Sequence, residues 1–149
     1  MLPQVEFITP ILNVSDVPAS LEWFENIGWR RTFTWNSGGA IEDMEDSDDN
    51  GVADFAGVGS GKVQIFLCLN AQGSRGGKWP MHVNSNDDES GGNWISLWVS
   101  KPSDLQELYE KAIENGMQIV LPVTDQAWGS REFRLMHPDG HILRLNVVL

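Results

Sequence analysis

The feature that most constrains the fold is a similarity between two stretches of the chain about 85 residues apart. The first runs from the apolar segment Thr9–Val14 into an amphipathic stretch at residues 18–27. The second runs from Trp94–Val99 into a similar stretch at residues 103–115. Both apolar segments contain Leu-x-Val, and both amphipathic stretches end at a glycine. We interpret this as an internal duplication rather than a solenoid repeat.

Each amphipathic stretch carries the signals of a helix. Ser15 or Asp16 is the expected N-cap of the first helix, and Pro18 lies in its first turn, where proline is favoured. In the second stretch, Ser103 and Gln106 have the spacing of a capping box. Apolar residues then recur at helical spacing in both stretches, at Leu21, Phe24 and Ile27, and at Leu105, Leu108, Tyr109 and Ala112. We therefore predict one helix in each half.

Three strand-like segments follow each predicted helix. They lie at residues 29–35, 52–58 and 62–69, and at residues 118–121, 132–136 and 142–148. The last two are joined by a Pro138-Asp139-Gly140 turn. Each half is therefore β-α-β-β-β, and the predicted class is α+β. We expect two paired β-α-β-β-β modules that form a curved mixed sheet around a cleft.

The stretch between the halves is rich in Gly, Ser, Asn and Asp, which is typical of a linker. We expect a single domain over residues 1–149. Its first module spans about 5–70, the linker about 70–93 and the second module about 94–149.

The two-residue period of a strand predicts which side chains face the cleft. If Leu12, Val14, Leu97 and Val99 lie under the helices, their strand neighbours lie on the opposite face. Those neighbours are Thr9, Ile11, Asn13, Trp94, Ser96 and Trp98.

The charge of the chain restricts its partners. Ten Lys and Arg stand against 21 Asp and Glu, a formal net charge of −11. Such a field repels phosphate backbones, so we expect no nucleic-acid partner. It attracts a cationic small molecule, although an acidic surface also serves solubility alone. No apolar run is long enough for a membrane span, no secretion signal is visible, and the single Cys68 fits a reducing cytoplasm.

Several motifs have ordinary structural interpretations. Residues 46–51 match the start of a calcium loop, but Gly57 stands where a bidentate glutamate is needed. Residues 57–62 lack the spacing of a phosphate-binding loop and predict a hairpin turn. Cys68 lies in an apolar segment and is expected to be a buried thiol. The three histidines are His82, His137 and His141, and the last two flank a turn where polar residues are expected.

The C-terminal run Ala127–His141 carries the strongest signal. Its Trp-Gly-x-Arg-Glu-Phe motif followed by Pro-Asp-Gly resembles the bleomycin-resistance branch of the vicinal-oxygen-chelate superfamily. That superfamily also includes glyoxalases and extradiol dioxygenases. The resemblance extends to the Pro-Ile-Leu and Glu-Trp-Phe runs near the N-terminus and to residues 54–58 and 105–109. It covers nearly the whole chain apart from the acidic insertion at residues 36–50 and the linker.

The resemblance implies where a catalytic metal would bind in the family's enzymes. The strand positions that supply its His or Glu ligands correspond here to Thr9, Phe66, Trp94 and Arg144. A divalent cation needs oxygen, nitrogen or sulfur donors, and a guanidinium repels it. We therefore expect no metal and no cofactor.

The resemblance also implies a ligand-binding function. A phenylalanine and a tryptophan stack on the drug in bleomycin-resistance proteins, and they match Phe55 and Trp128 here. We predict a further ligand wall from Trp94, Trp98 and Phe66, together with Arg144. The predicted function is non-catalytic sequestration of a planar, cationic small molecule, such as a bleomycin-type antibiotic, by a homodimer. The alternatives are a metal-independent or atypical-metal lyase or isomerase of the same superfamily, and a ligand sensor or partner-binding module.

Overall fold

The computed structural model describes residues 1–36, 39–40, 52–75 and 92–149. Most of the acidic insertion, the motif at residues 46–51, most of the predicted linker and His82 lie outside the described residues. The chain divides into two compact units, Met1–Ala71 and Gln72–Leu149. Each unit combines one helix with one β-sheet, which confirms the α+β class. None of the helices in the described ranges has the length and apolar character needed to cross a membrane.

Within its described residues, the first unit contains one helix and five strands. They are β1 (Ile11–Val14), α1 (Val17–Glu25), β2 (Arg30–Asn36), β3 (Gly39–Ala40), β4 (Phe55–Ser60) and β5 (Val63–Leu69). The strand order is β1-β5-β4-β2-β3. β1 runs parallel to β5, and the other pairs are antiparallel. β4 and β5 form a hairpin, which confirms the turn predicted from residues 57–62.

The second unit repeats this arrangement without the short third strand. Its elements are β6 (Trp94–Trp98), α2 (Pro102–Glu114), β7 (Gln118–Asp125), β8 (Ser130–Met136) and β9 (Ile142–Val148). The strand order is β6-β9-β8-β7, and β6 runs parallel to β9. In both units the first strand is thus an edge strand, and a helix connects it to an antiparallel set.

The two helices begin in different ways. The Asp16 carboxylate, one of the two candidate caps in the sequence, caps α1 by accepting a hydrogen bond from the Ala19 amide at 2.9 Å. The capping box predicted for α2 is wrong. Lys101 is the N-cap residue, and no side chain caps it. The reason is Pro102, whose fixed φ and missing N–H suit the first helical position, so the helix begins before Ser103.

Each helix covers one face of the sheet in its own unit. Leu21 and Phe24 of α1 are fully buried, as are the alternate strand residues Leu12, Val14, Ala56, Val58 and Leu67. On α2, Leu105 and Ala112 are buried, and the Tyr109 ring lies 5.1 Å from the Phe133 ring. Burying a leucine or phenylalanine stabilises a fold by about 1.5–3 kcal/mol. Both cores therefore lie between helix and sheet, and the opposite sheet faces are available for function.

His137 and His141, expected as polar turn residues, are instead fully buried. The turn brings them together, because the His137 amide donates to the His141 carbonyl at 2.8 Å and the rings lie 5.5 Å apart. The two Nδ1 atoms accept from the Asp139 and Asn93 amides, each at 3.0 Å. Burial, with a smaller contribution from His141, lowers the pKa of His137 to about 4. These histidines hold the turn in its place.

Candidate functional site

In the first unit, the sheet face opposite α1 is aromatic. Along β4, Phe55 and Gly57 alternate with the buried Ala56 and Val58, so they lie on the face away from the helix. The register with β5 places Phe66 beside Gly57 and Cys68 beside Phe55. Phe55 and Phe66, both predicted as ligand-binding residues, therefore share one face. Cys68 lies there too and is half-buried rather than buried, which corrects the expectation of a core thiol.

A third phenylalanine completes this face. Phe33 of β2 lies opposite Gly57, and its ring centroid is 5.3 Å from that of Phe55 and 5.2 Å from that of Phe66. Phe55 and Phe66 are themselves 5.4 Å apart. These are the separations of mutually stabilising aromatic pairs. The three rings form a cluster that we call the phenylalanine triad.

The absence of a side chain at Gly57 leaves room for the Phe33 ring. A Cβ at this position would lie 2.6 Å from Cε1 of the Phe33 ring and would also collide with the Thr32 hydroxyl. Glycine thus lets the ring of Phe33 cross the middle strand and reach Phe66. Trp35, which pairs with Phe55, and Ile11, which pairs with Phe66, extend the apolar surface and are partly exposed. A contiguous, partly exposed apolar surface of this kind is a candidate binding site.

In the second unit, the face opposite α2 begins with two tryptophans on the edge strand β6. Trp94 is 48% exposed and Trp98 is 58% exposed, whereas the intervening Ile95 and Leu97 are more buried. This alternation agrees with the prediction that Trp94, Ser96 and Trp98 share a face. Ser96 lies next to Arg144, and Trp98 lies next to Asn146, in the parallel pairing with β9.

The centre of this face is an ion-pair cluster on β8 and β9. Glu132 is fully buried, and its two oxygens accept hydrogen bonds from Nε and one terminal nitrogen of both Arg134 and Arg144, at 2.9–3.3 Å. Gln126 adds a fifth bond at 2.6 Å. Burial would raise the pKa of Glu132, but the hydrogen bonds and charges of the two arginines hold it below its usual value. The carboxylate is therefore ionised, and hydrogen bonds from Gln126, Arg134 and Arg144 occupy both of its oxygens.

The two arginines also lie close to Trp94. The guanidinium carbons of Arg134 and Arg144 are 5.6 and 5.7 Å from the centre of its ring, which is within the range of a cation–π interaction. Together with Glu132, these two arginines sum to a charge of +1 on the three ionisable side chains described beside this exposed ring. We call Trp94, Glu132, Arg134 and Arg144 the arginine–tryptophan patch.

Trp128 occupies a different position. It is 65% exposed in the loop between β7 and β8, where Gly129 adopts a positive φ of 89°. Two hydrogen bonds of Gln126 connect this loop to the patch. Its side-chain amide donates to the Glu132 carboxylate, and its backbone N–H donates to the Ser130 carbonyl at 2.7 Å. The stacking role predicted for Trp128 remains a prediction.

Sequence reasoning missed Phe33, Trp35, Glu132 and Arg134. A signal for the last two was available, because Glu132 and Arg134 are two residues apart on a strand and so share a face.

The family's metal positions do not fit a divalent cation. Thr9 offers one neutral hydroxyl, Phe66 and Trp94 offer no ligand atom, and Arg144 is a fixed cation held by Glu132. No group of three or more His, Cys, Asp or Glu that is able to hold a metal occurs within the described ranges. This set of side chains therefore does not suit a divalent metal ion.

A family model for the Glyoxalase/Bleomycin resistance protein/Dioxygenase superfamily matches residues 4–145. The chain belongs to this superfamily. The match spans both units and confirms the resemblance seen in the sequence. No match was found among curated proteins.

Solved structures show the same fold at low sequence identity. TioX from Micromonospora sp. ML1 is 18% identical over 97% of this chain and 100% of that chain, with a TM-score of 0.67. A bleomycin-binding protein complexed with bleomycin is 18% identical over 97% and 100%, with a TM-score of 0.58. A bleomycin resistance determinant encoded on the transposon Tn5 is 18% identical over 97% and 98%, with a TM-score of 0.57.

Proposed function

We propose that this superfamily member binds and sequesters a planar aromatic small molecule, of the kind that bleomycin-type antibiotics represent, without turning it over. The observation that carries the proposal is that each unit has an aromatic sheet face that its own helix leaves uncovered. The phenylalanine triad forms one such face, and the arginine–tryptophan patch with Trp98 forms the other. Aromatic walls with a few placed polar groups are typical of ligand sites.

The chemistry of the second face supports binding rather than catalysis. A general base needs a lone pair directed at the substrate. The buried Glu132 already accepts hydrogen bonds from two arginines and Gln126, which occupy the acceptor sites of a carboxylate. Its lowered pKa also makes it a weaker base. Holding a drug away from its target needs no turnover, because protection then follows from mass action.

The net charge of −11 favours the approach of a ligand that is cationic overall. This charge is unevenly distributed along the sequence. The described residues include nine Lys and Arg and twelve Asp and Glu, a net charge of −3. The remaining −8 belongs to residues 37–38, 41–51 and 76–91. In this proposal, those acidic segments attract a cationic ligand at long range. The aromatic faces then make the contacts with the bound ligand.

The proposal is tested by a thermal-shift screen of glycopeptide and planar aromatic antibiotics, followed by calorimetric titration of the hits. Replacing Phe55, Trp94 or Trp128 with alanine should each weaken binding by about 1–3 kcal/mol, since each removes a stacking surface. Val63→Ala is the matched control. It removes an exposed apolar side chain from β5 that lies in phase with the helix-facing Ile65. Unchanged affinity in all three aromatic variants would contradict the proposal.

A further inference from the structure

The four side chains that define the arginine–tryptophan patch sum to a charge of +1, which is opposite in sign to the net charge of the whole chain. Its Arg134 and Arg144 side chains are 13% and 24% exposed, and the Glu132 side chain is 0% exposed. A ligand that reaches Trp94 therefore approaches two guanidinium groups and not the carboxylate. From this geometry we infer that the patch is a subsite for an anionic group, such as a carboxylate or sulfonate, carried on the aromatic ring of the ligand. This inference names the ligand chemistry of the proposed binding function and rests on it.

The hydrogen bonds of Glu132 exclude a cationic group at this position. A carboxylate has about four acceptor sites. The five hydrogen bonds from Gln126, Arg134 and Arg144 already occupy them. A cation placed on Trp94 would also lie close to two guanidiniums, each within 6 Å of the ring centre. Like charges at such separations repel, and partial burial reduces the screening by solvent.

An anionic group meets the opposite conditions. Guanidinium is planar, carries five N–H donors and matches the geometry of carboxylates and sulfonates. The hydrogen bonds of Arg144 to Glu132 use Nε and one terminal nitrogen. Hydrogen bonds between charged partners are about twice as strong as neutral ones. Glu132 holds both arginines beside the ring before the ligand arrives, so little side-chain ordering is required on binding.

The net charge of a ligand is separate from the charge of the group that contacts this patch. The acidic segments act at long range and respond to the whole ligand, whereas the arginines act at contact. A planar ligand that is cationic overall and carries one acidic substituent satisfies both conditions.

The experiment compares three probes with one ring system: 2-naphthoate, 2-naphthamide and 2-naphthylmethylammonium. Calorimetry gives the affinities, and the indole N–H of Trp94 and Nε–H of Arg144 report the site in ¹H–¹⁵N spectra. Naphthoate should bind at least about tenfold more tightly than the ammonium probe. Arg144→Gln should weaken naphthoate binding at least about fivefold and leave naphthamide binding within about twofold.

Two further variants complete the test. Arg131→Gln is the matched control, because it removes the same charge from the neighbouring strand β8, at a residue that is in phase with the helix-facing Phe133 and paired with Asp125. It should leave the order of the probes unchanged. Arg144→Lys keeps the positive charge but loses the planar donor groups of the guanidinium. It should weaken naphthoate binding at least about twofold while naphthoate still binds more tightly than the ammonium probe, and it serves as the test if Arg144→Gln does not fold.

The outcomes separate this inference from the proposed function. If the probes bind but the ammonium compound binds as tightly as naphthoate, the inference is overturned and the aromatic site stands. The same holds if Arg144→Gln and Arg144→Lys leave the naphthoate affinity unchanged. If none of the three probes shifts the Trp94 signal, the aromatic site itself is overturned, and the subsite with it.

Discussion

Acidification should destabilise the protein through His137. Its ring is fully buried, and burial with the proximity of His141 lowers its pKa from 6.5 to about 4, against the opposite effect of Asp139. In the unfolded chain the same group titrates near 6.5. Between these two values the unfolded state binds a proton that the folded state does not. The stabilisation is therefore complete above pH 6.5 and is lost as the pH falls towards 4.

The size of the effect follows from the difference between the two pKa values. Each pH unit of difference corresponds to 1.36 kcal/mol, so a fall from 6.5 to about 4 removes about 3 kcal/mol from the free energy of unfolding. Domains of this size are stable by about 5–15 kcal/mol, so the loss is easily measured. Protonation also converts Nδ1, which accepts from the Asp139 amide at 3.0 Å, into a donor.

The assay is urea unfolding at several pH values between 7 and 4, followed by tryptophan fluorescence, on the wild type and on His137→Asn. The asparagine side-chain oxygen can replace Nδ1 as the acceptor of the Asp139 N–H, but the asparagine side chain does not titrate. The variant should be less stable at pH 7 because it loses ring packing, yet its stability should decline about 3 kcal/mol less over this range. An equal decline in both proteins, or an NMR titration that places the His137 pKa near 6.5, would refute this reasoning.

Three further predictions concern other parts of the molecule. Gly57→Ala should displace the Phe33 ring and weaken ligand binding by about 1–3 kcal/mol, because the added Cβ would lie 2.6 Å from that ring. An unshifted Phe33 resonance together with full ligand affinity would argue against the triad as a binding surface. Asp16→Ala should lower the free energy of unfolding by about 1 kcal/mol in urea, since it removes the cap of α1, whereas Ser103→Ala should have almost no effect. EDTA should change neither the melting temperature nor ligand binding, because the family's metal positions lack suitable donors; one equivalent of bound transition metal by elemental analysis would contradict this.

The fold was largely predictable because its signals are local. Both helices have an apolar stripe and a glycine stop, and the boundaries of β9 were predicted at both ends. The errors arise where a nearby residue overrides the pattern. The strand predicted at residues 118–121 ends just before Pro122, but β7 continues through this proline to Asp125. As an edge strand with register shifts on either side of Leu121, β7 tolerates a proline.

The candidate site was only partly predictable because it depends on pairing between strands. Alternation along a single strand was sufficient to place Trp94 and Trp98 on one face. The link between Arg134 and Arg144 depends on the register of β8 with β9, which places these residues directly opposite each other. Periodicity along one strand contains no information on that register. The burial of His137 and His141 likewise depends on how the turn packs, and not on its composition.

The central claim is binding without turnover, and recovery of the ligand tests it most directly. A bleomycin-type antibiotic that binds in the screen is incubated with an excess of the protein, released by denaturation and weighed by mass spectrometry. The account predicts stoichiometric binding, weaker binding in Phe55→Ala and in Trp94→Ala, and recovery of the whole ligand with its mass unchanged. Recovery of a chemically altered ligand, in amounts that grow with time and exceed one per chain when the ligand is in excess, would contradict sequestration and show an enzyme.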